Sequence, residues 1–262
     1  MRRARILQTD AASGTGAPQD NDSQITRATI GLRSLLLQGA FRPGQRIAEI
    51  PLSSKLGVSR TPLRLAFEKL EYEGLVKALP SSGFAANEFT VNDIWDAIET
   101  RGILEGASAR LAAERWKHSS QLDPLRALNR AMESIPDITV ENMSKYLDLN
   151  NAFHRGITDF ANNAMLTRVV DQIYLFPFTS PSSRILLHRT LLGSREIRPI
   201  AQEHHRAIVD AIEHREGSRA ESLAREHTLL TRRNLEEALA DRSILDTIPG
   251  AKLIRVRNSD QA

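Results

Sequence analysis

The sequence predicts a mainly α-helical protein: an N-terminal winged helix-turn-helix of mixed α and β structure, followed by an all-α antiparallel helical bundle. Three observations carry that prediction. Apolar residues recur at helical spacing from Ile25 through most of the chain. Two short runs, "LVKAL" and "FAAN", flank the turn-former "PSSG" and read as a hairpin. A capping-box signal, "TVND", then opens a long stretch of amphipathic helix.

Residues 1–24 are rich in Ala, Gly, Ser, Asp and Gln without apolar periodicity, and are expected to form a disordered leader. The first helix places Ile25, Ala28, Leu32, Leu35 and Leu36 on one stripe and stops at Gly39. "FRPGQRI" reads as a turn. "PLSSKLG" reads as a short helix ending on Gly57, and "VSRTPLRLAFEKLEYEG" as a second one, N-capped by Ser59 and closed at Gly74. Two helices meeting at a tight turn, followed by a hairpin, outline a winged helix-turn-helix over residues 25–88. Residues 89–247 read as about six helices, with breaks at Pro124, Pro136, "FPFTSPSS", Pro199 and Gly217. The polar tail, residues 248–262, is expected to be loose.

A chain of 262 residues, 41% of them hydrophobic, can bury one or two cores unaided. The absence of cysteine excludes a disulfide framework, Cys-ligated zinc, iron–sulfur clusters and a thiol nucleophile. Any metal must therefore be held by histidine and oxygen. No apolar run approaches the roughly 20 residues needed to cross a bilayer, and the first residues lack the apolar core of a signal peptide. A soluble, cytoplasmic protein without a membrane partner is the expectation.

Charge points to the first part of the chain. Residues 25–88 hold nine Lys/Arg against five Glu, a local +4, whereas the whole chain carries +3. In the third helix Leu63, Ala66, Phe67 and Leu70 form the inward stripe, leaving Arg60, Thr61, Arg64 and Glu68 outward. A recognition helix reads DNA from its N-terminal end, where arginine grips guanine bidentately and hydroxyls and backbone N–H groups hold phosphates. Solvated helix arginines are the plainer alternative.

The bundle carries unexpected polar residues on apolar stripes. Arg101 and Glu105 continue the stripe of Ile94 and Ile98, as an i,i+4 ion pair or as an arginine turned toward an anionic ligand. Asn150 and His154 share a face with Leu147, Ile157 and Ala161. His205 lies with Ala201, Ile208 and Ile212, and His227 with Ala220, Leu223, Ala224 and Leu230. If Gly217 marks the turn of a helical hairpin, His205 and His227 sit roughly 18 Å and 15 Å from it, at similar depth. Three converging imidazoles with a nearby amide oxygen favour a divalent metal, zinc, nickel, iron or manganese, over three satisfied core histidines. His204 faces nearly the same way as His205. His118, His188 and His214 have no such company and read as surface or loop residues.

The run "FRPGQRIAEIPLSSKLGVSRTPLRLAFEKLEYEGLV", followed by "SSGFAA", resembles the DNA-binding domain of GntR-type bacterial transcription regulators. The resemblance implies operator contacts by Ser59, Arg60, Thr61 and Arg64, with Gly83 at a wing tip reaching the minor groove. Leu65 stands at a position usually acidic in that family, and Ile50 where some members carry a DNA-contacting arginine. The later helices resemble the FCD ligand-binding domain of the FadR-like branch. "NNAFH" is similar to the family's Asp-x-x-Phe-His, "EHHRAI" to its Glu-His-x-x-Ile, and "AREH" to its final histidine stretch. That register selects His205 over His204, and implies a metal held by Asn150, His154, His205 and His227. "IETRGILEGASARLAA" is similar to the domain's first helix, whose arginine, here Arg101, commonly faces the effector pocket.

The function expected on these grounds is a homodimeric regulator, not an enzyme. It would be a repressor on a near-palindromic double-stranded DNA operator, controlled by a small carboxylate, organic or aromatic, at the metal site. Two other classes compete: a metal-dependent hydrolase fused to a DNA-binding domain, and an architectural DNA-binding protein without a ligand. No HExxH or comparable base accompanies the histidines, which disfavours the hydrolase.

Overall fold

In the computed structural model the described residues are 18–136, 140–181, 194–246 and 248–255; residues 1–17, His188 and residues 256–262 lie outside them. Helix α1 spans Pro18–Leu37, so it begins inside the segment expected to be leader. Proline at the first helical position, with acidic residues close behind, favours a helix start that apolar periodicity does not reveal. Helix α2, Glu49–Leu56, ends on Gly57 at φ 63°, where the glycine N–H bonds back to the carbonyls of Ser53 and Ser54. Helix α3, Arg60–Tyr72, follows at once.

The wing is a three-stranded antiparallel sheet in the order β1, β3, β2. β2 is Val76–Ala78 and β3 is Phe84–Ala86, as the hairpin pattern predicts. β1, Arg46–Ile47, lies within the stretch expected to be only a turn, and it pairs Ile47 with Phe84. Two residues are too few to show a period, so the strand exists through its partner. Phe84 stacks on Phe67 of α3 with centroids 4.6 Å apart, fixing the wing against the third helix.

A short strand β4, Phe89–Thr90, leads into α4, Val91–Arg115. Both halves of the expected capping box form: Thr90 Oγ1 accepts from the Asp93 N–H, and the Asp93 carboxylate accepts from the Thr90 N–H. After α4 come α5 (Asp123–Glu133), α6 (Val140–Phe160), α7 (Ala164–Leu175), α8 (Ser194–Glu213), α9 (Gly217–Ala240) and the single turn α10 (Arg242–Leu245). Two expected breaks differ. Pro199 lies inside α8, in its second turn, where a missing N–H costs one helical hydrogen bond at most. Gly217 is the first residue of α9, and the turn before it is made by Arg215 at φ 59°. Gly217 lies instead close against α4, where a Cβ would sit 3.0 Å from Arg110 Cγ.

Helices α4 and α9 pack along much of their length, because glycines let their backbones come close. A Cβ at Gly102 would meet Thr228 Oγ1 at 2.6 Å, and one at Gly106 would meet Arg225 Cγ at 2.7 Å and the Glu221 carbonyl at 3.0 Å. This pair runs through both hydrophobic cores. The first core joins Leu32, Leu63, Phe67 and Leu70 of the N-terminal helices to Ile94 and Ile98 of α4 and Leu235 and Ala238 of α9. The second gathers Ala109, Ala112 and Ala113 of α4 with α5, α6 and α8. Arg101 and Glu105 lie on α4 between the two.

The tail is not loose where it is described. Ile248, Ala251, Leu253 and Ile254 are buried in the first core, and β5, Ile254–Arg255, pairs in parallel with β4. The Gly250 N–H donates to the Leu37 carbonyl at 2.7 Å. Its scattered apolar residues show neither a 2-residue nor a 3.6-residue period, so only the groove that receives them gives them meaning. Among the described residues no helix is long and apolar enough to cross a membrane.

Candidate metal centre and DNA-reading face

The N-terminal end of α3 is solvent-facing, as its pattern requires. Leu63, Ala66, Phe67 and Leu70 are fully buried, and Ser59, Arg60, Thr61 and Arg64 are exposed. Ser59 adopts the extended N-cap backbone but makes no capping hydrogen bond with its side chain. Arg64 Nε lies 3.2 Å from Glu49 Oε2 in an exposed pair, and Arg60 has no ion pair among the described residues. Gly83 sits at the wing turn with φ 89°, where the Ser82 N–H bonds the Leu79 carbonyl. Arg46 Nη2 donates to the Ser82 carbonyl at 3.0 Å, laying a third arginine along the wing. One open groove is lined by Arg46, Ile50, Arg60, Arg64, Ser82 and Gly83, so helix and wing present a single basic face. Sequence reasoning missed Arg46, because its place beside the wing depends on the two-residue strand β1.

Deep in the bundle, α6, α8 and α9 each deliver one imidazole to the same point. His154, His205 and His227 are buried, and each offers a ring nitrogen within 4.8 Å of the others. Ring centroids lie 4.5 Å apart for His205 and His227, 5.0 Å for His154 and His227, and 5.6 Å for His154 and His205. His205 Nδ1 is held by Gln202 Oε1 at 2.9 Å, one turn back on α8, which turns its Nε2 toward His227 Nε2 at 3.2 Å. His154 Nδ1 faces Glu105 Oε2 at 3.2 Å, while His154 Nε2 and His227 Nδ1 are buried without a partner among the described residues. Burial, with the neighbouring imidazoles adding to it, pushes both His205 and His227 well below the ordinary histidine range. Neutral rings keep lone pairs for a cation, so the donor set fits a divalent first-row metal. Unsatisfied ring nitrogens in so buried a place fit it as well.

Around the imidazoles lies a charged network. Arg101 Nε donates to Glu105 Oε1 at 2.8 Å, and Tyr174 Oη donates to the same oxygen at 2.6 Å. Arg101 Nη1 also donates to the Thr179 carbonyl at 3.1 Å and to Thr231 Oγ1 at 3.2 Å. The i,i+4 ion pair is thus present, and it is almost wholly buried. Burial alone would raise the Glu105 pKa; the Arg101 guanidinium and His154 outweigh it and hold the carboxyl well below the usual range. Burial, reinforced by Glu105, pushes the Tyr174 phenol far up.

Residues 96–230 match the FCD domain, and residues 26–85 match the bacterial regulatory proteins of the gntR family. The chain belongs to the GntR regulators that carry an FCD domain. It is 29% identical to the Nta operon transcriptional regulator of Aminobacter aminovorans over 84% of this chain and 94% of that one. It is 29% identical to a probable D-xylose utilization operon transcriptional repressor of Paenarthrobacter nicotinovorans over 72% of this chain and 81% of that one. Among solved structures, Lar, described as controlling the Listeria monocytogenes agr system, superimposes with a TM-score of 0.58 at 22% identity, covering 81% of this chain and 96% of that one. That likeness shows the shared fold. This GntR regulator is therefore a DNA-binding transcription regulator, and its relatives are regulators, not enzymes.

FCD domains commonly bind metal, and the three-histidine cluster lies within the matched span. Asn150 is buried one turn before His154, and its Nδ2 donates to the Pro181 carbonyl at 3.0 Å. His204 is only partly buried, with its ring 5.8 Å from that of His227 and its Nδ1 lacking a partner among the described residues. His118 and His214 are exposed, in accord with their lack of apolar company. Gln202, Tyr174 and the contact between Glu105 and His154 escaped the sequence reading. Gln202 was legible in principle, standing three residues before His205 on the same face.

Proposed function

We propose that this GntR regulator is a homodimeric repressor whose hold on a near-palindromic operator is set by a small carboxylate at a divalent metal in the FCD domain. Arg60, Thr61 and Arg64, helped by Ser59, contact the operator in the major groove, and Gly83 brings the wing to the minor groove. His154, His205 and His227 hold the ion, with Asn150 as a neutral oxygen donor beside them. The metal would supply a Lewis-acidic anchor for a carboxylate, and Arg101 a guanidinium for its charge. One observation carries the reading: three buried imidazoles from three helices meet, and among the described residues His154 Nε2 and His227 Nδ1 have no hydrogen-bond partner. Large apolar side chains left exposed on α4 and α7, Ile103, Met165 and Val169, support pairing of two copies. A repressor's sign agrees with the printed name of the D-xylose relative.

Thermal-shift measurements with a panel of organic and aromatic acids, with and without Zn²⁺, Ni²⁺ or Mn²⁺, test the effector and metal together. The expected result is a metal-dependent rise in Tm for one class of acid and a matching loss of operator affinity. An architectural protein would show no response to any acid, and an enzyme would turn over the ester or amide of the stabilising acid. Either result would overturn the proposal.

A further inference from the structure

Resting on the metal reading above, we propose that Glu105 is a positioning residue that fixes the tautomer of His154 and thereby sets the affinity of the cluster for a divalent cation. A histidine can ligate only through a nitrogen that carries no proton, so the partner of one ring nitrogen decides what the other can do. At His154 that partner is a carboxylate. Glu105 Oε2 lies 3.2 Å from Nδ1, and an ionised carboxylate can only accept, so the proton sits on Nδ1. Nε2 is then left with its lone pair, buried, without a partner among the described residues, on a ring that lies against those of His205 and His227.

The rest of the network holds Glu105 in that role. Oε1 is occupied by two donors, Arg101 Nε at 2.8 Å and Tyr174 Oη at 2.6 Å, while Arg101 Nη2 reaches Oε2 at a long 3.4 Å. The carboxylate therefore cannot rotate away from His154 without breaking its short bonds from the buried Arg101 Nε and from Tyr174 Oη. Oε1 takes the short bonds from Arg101 and Tyr174, and Oε2 faces His154 with only the long Arg101 contact beside it. The same carboxylate touches both the metal-facing histidine and the arginine proposed for the effector, so the two halves of the site share one residue.

This division makes the isosteric change informative. In Glu105→Gln the amide oxygen is claimed by Arg101 Nε, which can only donate, and the amide NH₂ then faces His154. Nδ1 would then have to accept, the proton would move to Nε2, and the ligating lone pair would be lost.

Three measurements on the full chain decide the matter. Zn²⁺ titration of the wild type and Glu105→Gln is expected to show affinity about 10–100-fold weaker in the variant. Long-range ¹H–¹⁵N spectra of histidine-labelled, metal-free wild type, with His154→Gln to assign the ring, are expected to show the Nδ1–H tautomer. Glu105→Gln is expected to show Nε2–H. A purely structural role for Glu105 would alter stability without changing the tautomer. Equal Zn²⁺ affinity in the variant, or an Nε2–H tautomer in the wild type, overturns the proposal and leaves the metal reading standing. Wild type that binds no Zn²⁺ overturns both. If Glu105→Gln does not fold, the wild-type tautomer decides alone.

Discussion

Phe89 faces Ile254 across a parallel bridge, so the end of the described chain is stitched to the segment that joins the DNA-binding part to the bundle. The contact is buried on both sides and continuous with the core of the winged helix-turn-helix. What reads as a loose tail is a structural strap.

Leu253→Ala tests the strap. The side chain is fully buried, and truncation should cost about 2–5 kcal/mol, the range for emptying a leucine site in a core. Chemical denaturation measures the loss, and hydrogen exchange should show α1 and β4 losing protection ahead of α5 and α6. Unchanged exchange at Leu37 and Phe89 would show that the strap does not hold them.

Arg60→Ala and Arg64→Ala test the reading face. Each should weaken binding to an operator selected from a random pool by about 1–3 kcal/mol if it grips a base. Arg64 must first leave Glu49, so its net effect should be the smaller of the two. Equal losses on selected and random DNA would reduce both arginines to phosphate contacts.

Among the histidines, His154→Ala, His205→Ala and His227→Ala should each strip the metal in elemental analysis, whereas His204→Ala should retain it. The neighbours on α8 differ in burial: His205 is wholly enclosed and His204 is not. Metal loss in the His204 variant alone would move the ligand one residue along the helix.

Alkaline pH addresses the bundle through Tyr146, whose phenol is pushed up to about 12 by burial, with Arg198 nearby acting weakly the other way. The folded state keeps its proton longer than the unfolded chain, whose phenol titrates near 10. Its contribution is whole below pH 10 and is lost as pH rises toward 12. Wild type should therefore lose about 2–3 kcal/mol more than Tyr146→Phe over that interval, in urea titrations at each pH.

How far the sequence discloses all this depends on the range of the interactions involved. Stripes such as Leu63, Ala66, Phe67 and Leu70 are local, and the helix they predict is the one observed. The capping box at Thr90 and the αL closure at Gly57 are likewise decided within a few residues. Convergence of His154, His205 and His227 was legible because helix geometry converts residue number into depth. Long-range partners were not. β1 exists only against β3, the strap only against α1 and β4, and Glu105 meets His154 across 49 positions of chain, as the difference of their numbers shows. The start of α1 was missed for another reason, since polar residues with good helix-starting chemistry carry no apolar signal.

The glycine-mediated packing of α4 on α9 bears on how such proteins can be recombined. Because both helices and the strap contribute to the core under the winged helix-turn-helix, a cut at residue 88 would leave Ile94, Ile98, Leu235 and Leu253 facing water. A transplant of this DNA-binding head onto another helical domain would therefore have to carry the base of two bundle helices and the closing segment with it. Exchange by simple fusion at the linker is closed to this chain, and its two matched regions are inherited together.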